Sequence, residues 1–224
     1  MSEQTNNRIY IALCVLIAIF FIVKRREIQE TFQEIVLSKK VCNDVDGRCY
    51  TVSTKFDQTE EASRLLAATN KKIIKFLRYL REKYIWNGND SSINPVRRHM
   101  VERLLTLYDP DSMIENAPID TVNTSYVEDK GKVFALCLRE KASGRDEFER
   151  ADILFFVTLH ELSHISNSTY GHEPEFWQDF KILLQEAEQA GLYKPVDFRR
   201  EPASYCGLDL NYNPYFDDVV QPRY

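Results

Sequence analysis

Hydrophobic and polar positions along the chain fall into stretches of distinct period. Ile9 to Val23 (IYIALCVLIAIFFIV) runs fifteen residues without a charge, between Asn6-Asn7-Arg8 and Lys24-Arg25-Arg26. As a helix it spans about 22 Å against roughly 30 Å of hydrocarbon. Arg8 and Lys24 can snorkel and Asn6 and Asn7 can lengthen it, so it reads as a single transmembrane helix. A cleaved signal ends in small residues, whereas Phe20, Phe21, Ile22 and Val23 run straight into Lys-Arg-Arg. With the basic cluster on the C-terminal side, the positive-inside rule places the remaining chain in the cytosol.

Beyond the anchor, Glu27 to Leu37 continues as helix, and Val41 to Val52 alternates about Asp46-Gly47 as a short hairpin does. Gln58 to Tyr84 carries Ala62, Leu65, Leu66, Ile73, Ile74, Leu77 and Leu80 at helical spacing, its lysines and arginines forming a solvated face. Asn94-Pro95 opens a helix that lasts to Tyr108, where Asp109-Pro110 stops it. Thr121 to Glu128 and Lys132 to Arg139 flank Asp129-Lys130-Gly131 as the arms of an antiparallel hairpin. A strongly apolar helix, Phe148 to Ile165, and a last one, Pro174 to Ala190 with Gly191 as its stop, precede a tail from Pro195 without periodicity. The expected class is α+β. Residues 1–26 form a membrane anchor, 27–56 a juxtamembrane helix and hairpin, 57–209 the main domain and 210–224 a tail.

The 224 residues suit one filled core plus an appendage. A net charge of -5 supplies no global positive field, so nucleic acid is not an expected partner. The five cysteines, at 14, 42, 49, 137 and 206, form no C-x-x-C pair. Cys42 and Cys49 share a face of the first hairpin and could bond, although cytosolic thiols stay reduced. Cys206 reads as a buried thiol, an extra metal ligand or an inhibitory switch.

The chemistry concentrates in LHELSHISNSTYGHEPEFW. His160, Glu161 and His164 form H-E-x-x-H, and on a helix positions i and i+4 share a face, so two imidazoles can hold one Zn²⁺ with a glutamate beside its water. From this chain's composition the motif is expected by chance on the order of 0.006 times, which excludes coincidence as a working explanation. Asn167, Ser168, Thr169 and Gly171 then turn the chain, and His172 supplies the third ligand; Glu173, Glu175 and Glu186 are the alternatives. Glu161 is the expected general base, which takes a proton from the zinc-bound water and returns it to the leaving amine of a protein or peptide substrate. Tyr170 or Tyr205 could stabilise the oxyanion, Phe176 and Trp177 read as anchors beneath the metal, and His99 as an ordinary histidine.

H-E-L-S-H followed by G-H-E-P-E-F-W resembles the WLM and SprT-like zinc metallopeptidases. VDGRCYTV, VFALCLRE, GLYKPVDF and SYCG extend the likeness, over roughly residues 41 to 209, to metallopeptidase-type proteins of large DNA viruses. The resemblance implies a zincin-like domain in which the second hairpin lies beside the motif helix and an extended substrate adds to it as a strand. The seven residues between His164 and His172 depart from the tighter WLM spacing. A membrane-bound virion protein with a non-catalytic zinc is the alternative, disfavoured by Glu161. A role on DNA-protein crosslinks is opposed by the acidic charge and the anchor.

Overall fold

A computed structural model of the chain describes residues 15–17, 19–25, 37–86, 94–116, 124–139 and 147–221. The chain divides into two compact units, Met1–Ser38 and Lys39–Tyr224. In the first, residues 15–17 and 19–25 are helical, and the large apolar side chains from Val15 to Val23 that are described there stand exposed. Among the described residues no helix is long and apolar enough to cross a membrane. The start of the expected Ile9 to Val23 span lies outside the described residues. So does nearly all of the helix expected from Glu27, while Leu37 sits in a turn.

The second unit is built on a five-stranded mixed sheet in the order β1-β2-β3-β5-β4. Strands β1 (Ser38–Cys42) and β2 (Cys49–Ser53) form the expected first hairpin. Asn43 organises its turn by accepting the Val45 amide at 3.0 Å, and Gly47 supplies the left-handed residue at φ 73°. Helix α1 (Thr59–Arg81) follows, with Ala62, Leu66, Ile73 and Leu80 buried at helical spacing and Arg78 and Arg81 in its last turn, where cations suit the dipole. It passes into a π turn at Glu82–Trp86. Helix α2 (Pro95–Leu107) is capped as expected, the Asn94 side chain accepting the Val96 and Arg97 amides at 2.8 and 3.2 Å.

Strand β3 (Met113–Glu115) is central and was not anticipated, because three residues give no alternation to read. It runs parallel to both β2 and β5, so the sheet is mixed and not a pair of separate hairpins. The second hairpin forms where expected, from β4 (Tyr126–Glu128) and β5 (Val133–Leu136), with Val127 opposite Phe134. At its apex Asp129, Lys130 and Gly131 all have positive φ, and a Cβ on Gly131 would lie 2.7 Å from the Leu107 carbonyl oxygen.

Helix α3 (Ala151–Ser166) is the spine of this unit. Every residue from Ile153 to Leu159 is buried, and it packs against α2 and α4 (Pro174–Gln189). Gly191, at φ 66°, ends α4 as expected. The tail, which shows no periodicity in sequence, carries short elements: β6 (Ala203–Tyr205) pairs with β7 (Leu208–Leu210), and a 3-10 turn at Pro214–Phe216 packs on α4. Lys181 Nζ donates to the Asp217 carbonyl at 2.7 Å, and Tyr215 Oη to Glu188 at 2.5 Å. Residues on both sides of 57 and of 209 lie in the one compact unit Lys39–Tyr224. The first hairpin belongs to the same sheet as the second, and the tail to the same compact unit.

Two disulfides, Cys42–Cys49 and Cys137–Cys206, close loops of sequence separation 7 and 69. Loop-closure entropy for the longer one amounts to about 4 kcal/mol in the chain-entropy account. Cys206 is thus bonded and buried, neither a free thiol nor a metal ligand.

Substituting Gly131→Ala places a side chain both at φ 117° and against the Leu107 carbonyl. The expected result is a loss of about 1–3 kcal/mol in stability, measured as a lowered midpoint in thermal or urea unfolding.

Candidate metal centre

The helical period places His160 and His164 on one face of α3, one turn apart, and both rings point out of the apolar helix toward β4. His172 reaches the same point from the loop between α3 and α4. His160 Nε2 lies 3.2 Å from His164 Nε2 and 3.0 Å from His172 Nε2, and one ring nitrogen from each residue falls within a sphere of pairs no more than 4.8 Å apart. Nitrogens bound tetrahedrally to one metal at 2.0–2.1 Å stand about 3.3 Å from each other, so the cluster has the size of a three-histidine metal site. Burial depresses all three imidazoles: His160 well below its ordinary value, His164 down to about 4 with His172 and Lys130 adding repulsion, and His172 less. They are therefore neutral near pH 7 and keep the lone pairs that a metal needs.

Phe176 forms the floor of this cluster. Its ring is fully buried, stacks on His164 at 4.3 Å between centroids, and meets His160 and His172 edge-on at 4.8 and 4.6 Å. Trp177 donates from Nε1 to the His172 carbonyl at 3.0 Å, tying the loop ligand to the start of α4. Both side chains have the anchoring place expected of them.

Glu161, on the same helix, is buried and borders the cavity beside the imidazoles. Its Oε2 is buried without a hydrogen-bond partner, and burial pushes the carboxyl up to about 8. An orphaned carboxylate oxygen costs roughly 1–3 kcal/mol or more, so its retention beside three convergent imidazoles points to chemistry rather than to folding. A cation held by the histidines would lower its proton affinity again by charge attraction.

Cavity walls complete the centre. A space of about 290 Å³ is lined by Ser125, Tyr126 and Val127 of the β4 segment, by Lys130, by His160, Glu161 and His164 of α3, and by Tyr170, Gly171 and His172 of the loop. β4 is an edge strand of the sheet, with β5 on its one paired side. Of the two tyrosines considered, Tyr170 lines the cavity and is exposed. Tyr205 is buried; its hydroxyl donates to the Cys137 carbonyl at 2.7 Å and meets Ser125 Oγ at 2.6 Å, which makes it a packing residue.

The alternative ligands fall elsewhere. Glu186 is buried in a different network, accepting from Lys83 Nζ at 2.6 Å and Tyr84 Oη at 2.6 Å, and so serves to join α4 to the end of α1. Glu173 and Glu175 are not in the cluster of metal-competent side chains, and neither is His99, which is exposed on α2. What sequence reasoning missed is Lys130, whose ammonium donates to the carbonyls of His164, Asn167 and Thr169 at 3.0, 3.0 and 2.5 Å. Its unusual place at the apex of a glycine-containing turn was the available signal.

Comparison with known proteins finds viral relatives. An uncharacterized protein of Acanthamoeba polyphaga mimivirus is 31% identical over 213 residues, covering 94% of this chain and 98% of that protein. An uncharacterized protein of Invertebrate iridescent virus 6 is 39% identical over 69 residues, which is 31% of this chain and 38% of its own length. Another, of Invertebrate iridescent virus 3, is 33% identical over 99 residues, or 43% and 58%. No protein-family model matches the chain, and no solved structure does.

Metal-free protein should show the burden of Glu161 directly. Its folded-state pKa of about 8 lies above the ordinary 4.5, so the group favours folding fully below pH 4.5, and that contribution is lost as pH rises through about 8. Metal-free Glu161→Gln should therefore unfold at nearly the wild-type midpoint at pH 5 and gain on wild type progressively toward pH 8, by up to several kcal/mol. A denaturant series across that range checks it.

Proposed function

The chain belongs to the family of the mimivirus protein, and we propose that it is a zinc-dependent metallopeptidase of the WLM and SprT-like kind, acting through Glu161. The observation that carries this is the Glu161 carboxyl, buried and unpartnered beside three imidazoles whose nitrogens converge. A purely structural zinc site needs no such carboxylate and ordinarily has four protein ligands.

The residues divide the work. His160, His164 and His172 would hold the ion, and zinc, when bound, would polarise the scissile carbonyl and acidify the attacking water toward neutral pH. Glu161 would take a proton from the attacking water and pass it to the leaving amine, the role of a general base beside the ion. The unpaired side of β4 offers backbone groups to an extended peptide, which orders the substrate along the wall containing Ser125, Tyr126 and Val127 and brings one of its bonds over the cluster. Tyr170, which also lines the cavity, is the residue that could stabilise the oxyanion.

The N-terminal unit is proposed as a membrane anchor. Its support is the uncharged run from Ile9 and the exposure of the described apolar side chains from Val15 to Val23, which in water would be costly. The basic cluster at 24–26 favours a cytosolic domain, while two disulfides favour an oxidising compartment. The disulfides weigh more, since such bonds persist in oxidising compartments and are reduced in the cytosol, whereas the charge rule is statistical.

Two measurements test these readings. Zinc content, melting temperature and turnover on a peptide library separate enzyme from scaffold: Glu161→Gln should keep its zinc and lose about 10²- to 10⁴-fold in rate, whereas His160→Ala should lose metal and stability together. Wild type that binds one zinc and cleaves nothing in a broad library points to the virion-scaffold alternative. For the compartment, protein alkylated on lysis of its native host should show four protected cysteines that become reactive after reduction; free thiols at Cys137 and Cys206 would return the domain to the cytosol.

A further inference from the structure

The third metal ligand differs from the other two in kind. His160 and His164 are fixed by one helix, but His172 stands on a loop, six residues past the end of α3, and the helix itself ends without a glycine cap, Asn167 being extended at φ -75°, ψ 145°. The last carbonyls of α3 must find donors elsewhere. They find cations. Lys130 Nζ bonds the carbonyls of His164, Asn167 and Thr169, and Arg103, from α2, bonds Ser166 and Asn167 at 3.1 and 3.2 Å. Within the loop, Asn167 Oδ1 accepts both the amide and the hydroxyl of Thr169 at 2.7 Å, while its Nδ2 donates to the buried Asp179 at 3.0 Å.

Lys130 joins the two ligand sources by hydrogen bonds. One of its bonds goes to the backbone of a ligand on the helix, another to Thr169 in the loop, and its ammonium also lies 4.6 Å from the centre of the Tyr170 ring. Its own position is held hard: it occupies left-handed backbone at φ 58°, and the neighbouring Gly131 is wedged against the end of α2. Arg103 touches the helix end and Asn167, but nothing nearer to His172.

We propose that Lys130 is a positioning residue for the metal centre, setting where His172 stands relative to the His160–His164 pair and linking that placement to the β4 edge on which substrate would lie. Its hairpin continues into Val127 and Tyr126 of the cavity wall, so strain applied to β4 by an added strand reaches the loop through one ammonium group. The assignment rests on the zinc reading only for its metal-affinity consequence. The placement of the loop is a property of the metal-free chain.

The test uses the full chain carrying Lys130→Met, Lys130→Arg or Arg103→Met, with two readouts: zinc affinity by competition with a chromophoric chelator, and hydrogen exchange of the 168–172 amides in metal-free protein. Lys130→Met should weaken zinc binding by about 10- to 100-fold, as loss of groups that orient ligands does, and should speed exchange in the loop. Lys130→Arg should recover most of both. Arg103→Met should lower the melting temperature yet leave zinc affinity closer to wild type than Lys130→Met does. If Lys130→Met yields no folded protein, Lys130→Gln is read by the same two measures. Unchanged loop exchange, or equal affinity losses in the Lys130→Met and Arg103→Met proteins, overturns the assignment. Wild type that binds no zinc overturns the metal reading alone, and loop exchange then decides for or against Lys130.

Discussion

Burying a carboxyl group in an apolar helix, with no partner for one of its oxygens, is costly, and the packing around it makes that burial possible. Helix α3 is flanked by α2 and α4, and Glu161 is buried where it borders the cavity. The same covering depresses the imidazoles and leaves them neutral. Burial thus moves the carboxyl and the histidines in opposite directions, toward neutral forms of both. On the proposed metal reading, a divalent cation at the convergence point would reconcile those neutral histidines with a carboxylate that is useful when ionised.

The helix end shows a second constraint. A chain that must leave an apolar helix and return eight residues later with a ligand cannot do so on loose backbone, yet SNSTYG offers little to bury. Two cations from separate elements, Lys130 and Arg103, supply the hydrogen bonds that a glycine cap would otherwise provide. Binding carbonyls with charged donors makes the loop dependent on tertiary structure, so the placement of His172 depends on the hairpin and α2.

That dependence explains how far the sequence could be read. His160, Glu161 and His164 were legible because helical periodicity alone puts them on one face or its neighbour, and the caps at Asn94 and Gly191 were legible because they are local chemistry. His172 could be named by residue type, but Glu186 was separated from it only by the Lys83 and Tyr84 contacts, more than a hundred residues away in sequence. Strand β3 was invisible since three residues carry no period, and the β6–β7 pair because its partners lie in a segment poor in apolar alternation. The link between Cys137 and Cys206 depends on fold closure, which spacing does not encode.

That same sulfur link encloses a particular stretch of chain. Everything between Cys137 and Cys206 lies inside it, including α3, the loop, α4 and thus all three histidines with Glu161. A backbone cut anywhere within the ring would divide the polypeptide but not the molecule: both pieces stay tethered, at a fixed high effective concentration, and can remain assembled. On the proposed peptidase reading, the segment that carries the three histidines and Glu161 is a ring that survives being nicked.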